Sequence, residues 1–459
     1  MESTDSLKKS ALVVATIGSF ITPFMASSVN VALPYIAKSF KIDAVLLSWI
    51  ATCFLLAAGV ALVPSGRLGD IYGRKRLLAW GFGLFSISSI LCATAFSAPM
   101  LILFRVMQGI GCGMIFATSP AILMSVFSPK ERGRVLGITV AAVYIGLSSG
   151  PFIGGVLTLH LSWRSLFLLN GLFGFAVVGI ILVKLKGEWA EARGERFDIA
   201  GTFIYGLALT SIIYGLSLLP SLKSLWLVLA GIIGGVFFVR WESSIKFPVF
   251  EVSLFRKNRV FALSNLAALI QYSATFAVTF LLSLYFQYIK GFDPQTTGLI
   301  LISQPITMAL FSPFAGKLSD KVEPRIIATL GMSITCVMLL FLSFIRQDTG
   351  LFYIIPCLLI LGFGYALFSS PNMNAIMSSV EKRFLGIASG SAGTMRVLGQ
   401  MLSMGLATLV LSIFMGREQI TEALYPNLLQ SINICYIILC VICVSGIFAS
   451  LARGDVRGY

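Results

Sequence analysis

Charge is what this sequence has least of. Only 12% of its 459 residues are Asp, Glu, Lys or Arg, half of the roughly 25% that soluble domains carry. A water-soluble fold of this size could not cover its surface with so few ionic groups. Histidine occurs once, at His160, and the eight cysteines all lie in apolar stretches. These cysteines read as small packing hydrophobes, and no His/Cys metal cluster is expected. The phosphate-binding pattern GxxxxGK[ST] is absent, which excludes an ATP-driven engine of that kind. Nothing points to a cofactor or to an enzyme.

What the chain has in excess is hydrophobicity: 57% of its residues are hydrophobic and its mean hydropathy is +0.92. Apolar runs of about 20 residues, long enough to cross the hydrocarbon core, recur near 11–34, 44–65, 77–96, 99–127, 135–158, 164–184, 199–220, 224–240, 260–284, 296–316, 326–345, 350–372, 384–414 and 428–451. They lack strict alternation, so they are helices and not barrel strands. The expected fold class is an all-α polytopic membrane protein with fourteen transmembrane helices, whose solvent is membrane lipid. The first run is too long for a signal-peptide core and is expected to be retained.

The net charge of +15 is not a nucleic-acid footprint. Of the 34 Lys and Arg residues, 25 fall on one set of alternate loops and seven on the other, with Arg105 and Arg396 inside helices. This is the positive-inside pattern, and it predicts that both termini are cytoplasmic.

A repeat divides the chain. GRLGDIYGRKR begins at Gly66, after the second run, and GKLSDKVEPR begins at Gly316, after the tenth. Parallel repeats are a known transporter plan. The expected organisation is an N-terminal six-helix bundle at 1–184, charged linkers with two inserted helices at 185–259, and a C-terminal six-helix bundle at 260–459. KLKGEWAEARGER, before the insert, reads as a mobile linker.

Each motif has a physical reading. Gly66, Gly69 and Gly73 permit a sharp turn and close helix approach, and Asp70 is expected at the N-terminal end of the third helix. With Arg74, and with Gly316, Asp320 and Arg325 in the second copy, it is expected to form a gate. GLSSGPFIGG, from Gly146 to Gly155, sets Gly150, Gly154 and Gly155 for close packing, with Pro151 as the bend.

These motifs, with RVMQGIG (Arg105–Gly111), WRSLFLLN (Trp163–Asn170), FDIAG (Phe197–Gly201) and FPVFEVSLFRKNRVF (Phe247–Phe261), resemble the major facilitator superfamily. Within it they resemble the fourteen-helix drug:proton antiporter group over nearly the whole chain. The resemblance implies two six-helix bundles plus two inserted helices, and proton-coupled multidrug efflux by a transporter of the plasma membrane. That the glycine motif signals export comes from the resemblance alone.

An intramembrane arginine costs roughly 2.5–3.5 kcal/mol to insert, so it usually faces a cavity. Arg105 with Gln108, and Arg396 with Gln400, are therefore candidate cavity residues. Asn30, Tyr144, Gln271, Tyr272 and Gln304 are the polar and aromatic candidates beside them. In the group that the chain resembles, the first helix commonly carries an Asp five residues before the Asn of its VNVALP-like end. Counting back from Asn30 gives Met25, in FMASSVNVALP, and all 19 acidic residues fall in loops or at helix ends. A cavity with arginine and no carboxylate should favour neutral or anionic amphiphiles over cations. If protons are the coupling ion, Asp70 and Asp320 are the acids left to carry them. The expected function is a monomeric secondary-active exporter of drug-like or metabolite amphiphiles; an uptake permease or uniporter on the same fold is the alternative.

Overall fold

The computed structural model describes residues 2–128, 131–218, 222–319, 321–381, 385–416 and 418–454. Among them are fourteen helices long and apolar enough to cross a membrane: α1 Ser6–Phe40, α2 Ala44–Tyr72, α3 Arg74–Thr94, α4 Ala98–Val126, α5 Gly137–His160, α6 Trp163–Lys184, α7 Ile199–Ser217, α8 Leu222–Glu242, α9 Arg259–Ile289, α10 Pro294–Ser319, α11 Pro324–Leu342, α12 Leu351–Ser378, α13 Ile387–Met415 and α14 Glu422–Ala452. No strand occurs among the described residues.

Local chemistry starts several of these helices. Asp43 accepts the Leu46 amide at 2.7 Å before α2, Asn258 the Phe261 amide at 2.9 Å before α9, and Asp293 the Thr296 amide at 2.9 Å before α10. Each side chain satisfies one orphan donor of its helix's first turn. Pro151 stands inside α5 without ending it. In α9 the regular ladder breaks at Phe276, where the Ala277 amide donates to Ser403 Oγ of α13 at 3.0 Å.

The packing repeats. In the first six helices α1 packs on α5 and α6, α2 on α4, and α3 on α4 and α6; in the last six α9 packs on α13 and α14, α10 on α12, and α11 on α12 and α14. The two sets meet where α5 lies on α10 and α2 on α13. Between them in sequence, α7 and α8 pair with each other, and α7 leans on both α2 and α13. The start of α1 and the end of α14 lie at one end of the molecule, here the terminal end, with the end of α2 and the end of α10; the other is the distal end.

Two expectations are corrected at the terminal end. Asp70 lies in the last turn of α2, not at the start of α3. There a carboxylate opposes the helix dipole, as does Arg74 in the first turn of α3, and each neutralises the other at 2.7 Å. Gly73 makes the turn between them at φ 114°, and a Cβ there would lie 2.5 Å from Glu188 Oε1. Gly66 and Gly316 make no comparable approach: a Cβ on Gly66 would meet nothing within 4 Å, and one on Gly316 would lie 3.8 Å from Ser370.

The linker after α6 is not a free tether but a strap seated on this turn. Arg74 donates to Glu191 at 2.8 and 3.2 Å, Arg67 pairs with Glu195, and Arg76 with Glu188 at 3.6 Å. Backbone bonds fix it further, Arg74 N to Trp189 O at 2.8 Å and Ala192 N to Asp70 O at 2.9 Å. Arg74 is 8% exposed, so truncating it strands two acids beside each other. Arg74→Ala is expected to cost about 2–3 kcal/mol, below the full buried-pair range because Glu191 is open to water. Arg74→Lys should recover only part, since it lacks the fork; thermal unfolding of the purified protein checks both.

Candidate functional site: a cavity between the two helix sets

A cavity opens where the two sets face each other. From the first set it takes Thr22, Pro23 and Ala26 of α1, Phe54, Leu55 and Ala58 of α2, Cys112 and Phe116 of α4, and Val140, Val143, Tyr144 and Leu147 of α5. From the second it takes Tyr272 and Phe276 of α9, Tyr365 of α12, and Arg396, Val397 and Gln400 of α13. The wall is aromatic and aliphatic with a few polar groups, the composition of drug-sized sites.

Several of its polar groups lie close together. Tyr272 and Tyr365 meet edge to face with centroids 5.7 Å apart. The Arg396 guanidinium lies 5.5 Å from the Tyr272 ring. Its buried Nε has no hydrogen-bond partner among the described residues. The Tyr144 hydroxyl bonds Ser369 Oγ at 2.7 Å across the interface between the sets. Among the described residues, Arg396 is the single charged residue in the wall, and neither Asp nor Glu lines it. An arginine with a spare donor, amid three tyrosines and no counter-ion, suits an acceptor-rich or anionic ring system.

Of the candidate cavity residues, the structure brings together Tyr144, Tyr272, Arg396 and Gln400, and places the others elsewhere. Arg105 is enclosed by the first set. Its Nε donates to Ile50 O at 3.1 Å and its terminal nitrogen to Gln108 Oε1 at 2.6 Å, while Gln108 donates to Ser89 Oγ at 2.6 Å. The guanidinium lies 4.1 Å from the Phe54 ring, one layer behind the cavity wall. Burial is affordable there because helix carbonyl, amide and ring face share the charge.

Met25 is fully buried and outside the wall, as is Asn30, whose carbonyl accepts Ser283 Oγ at 2.8 Å. Gln271 donates to Thr335 Oγ1 at 3.1 Å inside the second set. Gln304 packs under Gly362, whose Cβ position lies 3.0 Å from Thr307. Asp320 lies outside the described residues. Arg325 stays at the terminal end, in the first turn of α11.

The glycine motif joins α5 to two neighbours. Cβ atoms on Gly150 and Gly154 would lie 2.8 Å from Ser27 and Ser28 Cβ of α1, and one on Gly146 3.2 Å from Phe24 N. Gly155 instead faces the second set, 2.9 Å from Gln295 Cα, and Gly298 of α10 answers it 3.1 Å from Phe152 Cα. Around this crossing, at the distal end, further bonds join the sets. Gln287 donates to Val31 O at 2.9 Å, Gln419 to Lys41 O at 2.7 Å, and His160 meets Gln295 at 3.1 Å. By contrast Gly137 of α5 and Gly390 and Gly393 of α13, towards the terminal end, have nothing within 4 Å of a Cβ.

Sequence reasoning missed several of these groups. His160 reads as a loop residue but bridges the sets. Glu188, Glu191 and Glu195 read as linker charge but hold the strap. Arg453, in the basic stretch after α14, is 1% exposed and donates to Asn372 Oδ1 at 2.7 Å; burial pulls its pKa down to about 10. Cys440 and Cys443 are one helical turn apart, a spacing that was legible, and Cys440 Sγ lies 3.4 Å from Cys336 Sγ of α11. No metal-binding cluster occurs among the described residues.

The family model described as the Major Facilitator Superfamily fits residues 15–404. The chain is 31% identical over 407 residues to the riboflavin transporter RibZ of Clostridioides difficile, covering 89% of this chain and 88% of that one. It is 28% identical over 411 residues to the multidrug resistance protein Stp of Mycobacterium tuberculosis, covering 88% and 76%. Its fold resembles the crystal structure of a bacterial homolog of the human lysosomal transporter Spinster, inward-facing and unoccupied, with TM-score 0.70 at 15% identity over 97% of each chain.

Proposed function

We propose that this chain, which belongs to the major facilitator superfamily, is a secondary-active exporter of flat aromatic amphiphiles, neutral or anionic. It works by alternating access as a monomer in the plasma (inner) membrane, with both termini cytoplasmic and protons as the coupling ion. The family makes it a membrane transporter of small molecules. The observation that carries the narrower reading is the cavity wall: rings, one arginine with a free donor, and no carboxylate. The basic loops support a cytoplasmic terminal end. The closed distal crossing and the open glycine faces opposite it support a cavity that fills from that side.

Protons need a titrating acid, and the wall has none. Asp70, which is paired with Arg74, and Asp320 remain the candidate acids. The test is transport by purified protein in liposomes, with matched cationic, neutral and anionic aromatic dyes and with riboflavin, under an imposed pH gradient. Gradient-dependent movement of neutral and anionic rings out of the compartment facing the terminal end is the expected result. Preferential transport of cations would sink the reading.

A second reading, uptake or uniport of a metabolite, is favoured by the 31% identity to a riboflavin transporter together with the acid-free wall. It predicts riboflavin movement that follows its own gradient and ignores the proton gradient.

A further inference from the structure

Among the described residues no carboxylate lines the cavity, yet one acidic side chain is buried. Glu242, the last residue of α8, is 3% exposed. Its Oε2 accepts the Phe250 amide at 2.9 Å, whereas its buried Oε1 has no hydrogen-bond partner among the described residues. That oxygen faces a second carboxyl group, that of Asp198, which stands just before α7. The two side chains crowd the same face of Gly201: a Cβ there would lie 2.5 Å from Glu242 Oε1 and 3.0 Å from Asp198 Cγ. Asp198 Oδ2 accepts the Trp241 indole N–H at 2.9 Å, and Asp198 has no side-chain bond to the amides of its own helix.

An ionised carboxylate can only accept hydrogen bonds. Two of them facing each other, Glu242 buried and Asp198 half-buried, leave Oε1 with no donor and bring like charges close together, a costly arrangement. One proton resolves both problems, because it makes an O–H···O bond where none can otherwise exist. No lysine or arginine supplies the alternative: among the described residues none forms an ion pair with Asp198 or Glu242. The surrounding charges look elsewhere. Lys246, Glu251, Arg256 and Lys257 line the same hollow as Glu242 without pairing with it, and Arg196 and Arg240 are exposed. From α2, Arg67 turns to Glu195.

We propose that Asp198 and Glu242 together bind one proton, and that this proton holds the base of the α7/α8 hairpin closed. The site sits where three segments converge. Asp198 ends the strap that crosses Arg67, Arg74 and Arg76; Glu242 ends the hairpin; and the Phe250 amide belongs to the connection into α9. Loss of the proton to solvent leaves two carboxylates side by side. Their repulsion parts the hairpin base, frees the Phe250 amide, and loosens the link between the strap and the second helix set. The terminal face thereby carries a proton-binding site outside the transport cavity.

Trp241 reports on the pair directly, so the test needs no transport assay. The protein in lipid nanodiscs is titrated from mildly acidic to mildly alkaline pH, and the emission of Trp241 is taken as the difference from Trp241→Phe. One titration step is expected, absent in both Glu242→Gln and Asp198→Asn. Infrared spectra at neutral pH should show a protonated-carboxyl stretch that Glu242→Gln removes, since glutamine mimics the protonated acid. Gly201→Ala, which places a methyl group between the oxygens, should weaken both signals in a chain with all its acids intact, and it serves if either acid variant fails to fold. A titration that survives both acid variants, or no protonated-carboxyl band at neutral pH, overturns the proposal.

Discussion

Gly298→Leu will cut transport sharply while leaving the protein folded. At the crossing of α5 and α10, backbone lies on backbone: a Cβ on Gly298 would stand 2.6 Å from Pro151 C and 3.1 Å from Phe152 Cα, and one on Gly155 2.8 Å from Pro294 C. A flexible side chain could move aside; a main chain inside a helix cannot. A side chain here therefore pushes the two sets apart at the distal end. Each set keeps its own helix pairings, because the crossing lies between the sets. Overpacking costs about 1–3 kcal/mol, and that penalty falls on the distally closed state alone. Two states of similar energy would shift about tenfold to a hundredfold towards the distally open one. Transport in liposomes should fall at least about tenfold, and a cysteine placed beside the crossing should become reactive from the distal side. Gly155→Leu should behave alike.

Gly150→Leu is the control. It meets Ser27 of α1 within the first set, so it should lower the unfolding temperature instead of biasing the states. If Gly298→Leu destabilised the protein as Gly150→Leu does and kept its transport rate per folded molecule, the crossing would be mere packing.

Much of this architecture is legible in the sequence, because lipid leaves the chain few options. A run of about 20 apolar residues must be a helix, so the fourteen spans follow from hydropathy, and the copies at Gly66 and Gly316 indicate the repeat. The environment of each polar residue is harder. Arg105 with Gln108 and Arg396 with Gln400 look alike as sequence, each an arginine with a glutamine about one turn on. Helical periodicity says which residues share a face but not what covers it. For Arg105 the cover is α2, through the Ile50 carbonyl and the Phe54 ring; for Arg396 it is the cavity. The strap was illegible for a related reason. Its acids lie more than a hundred residues from the arginines they meet, and a charged stretch after a helix reads as solvated unless its partners are known.

The missing acid of the first helix makes Arg396 the decisive residue. No carboxylate lines the wall among the described residues and its Nε has no partner there, so under the proposed function it anchors an anionic or acceptor-rich ring. Arg396→Gln removes the charge and keeps a donor. A charge-assisted hydrogen bond contributes about 1.5–3 kcal/mol, so the affinity for an anionic dye should fall about tenfold to a hundredfold. A neutral ring held by stacking on Tyr272 and Tyr365 should change little. The same substitution frees the face of Tyr272, now shared with the guanidinium, for a ligand cation. That contact is worth about 0.5–2 kcal/mol, and like-charge repulsion is gone as well. Cationic dyes should therefore improve as anionic ones fail, a reversal read from KM values in one preparation of liposomes. Arg396→Lys should keep the order of preference while weakening it, because a point charge lacks the planar fork. If the glutamine variant instead lost all substrates alike, Arg396 would be bracing the tyrosines, and the selectivity of the wall would have to come from its shape.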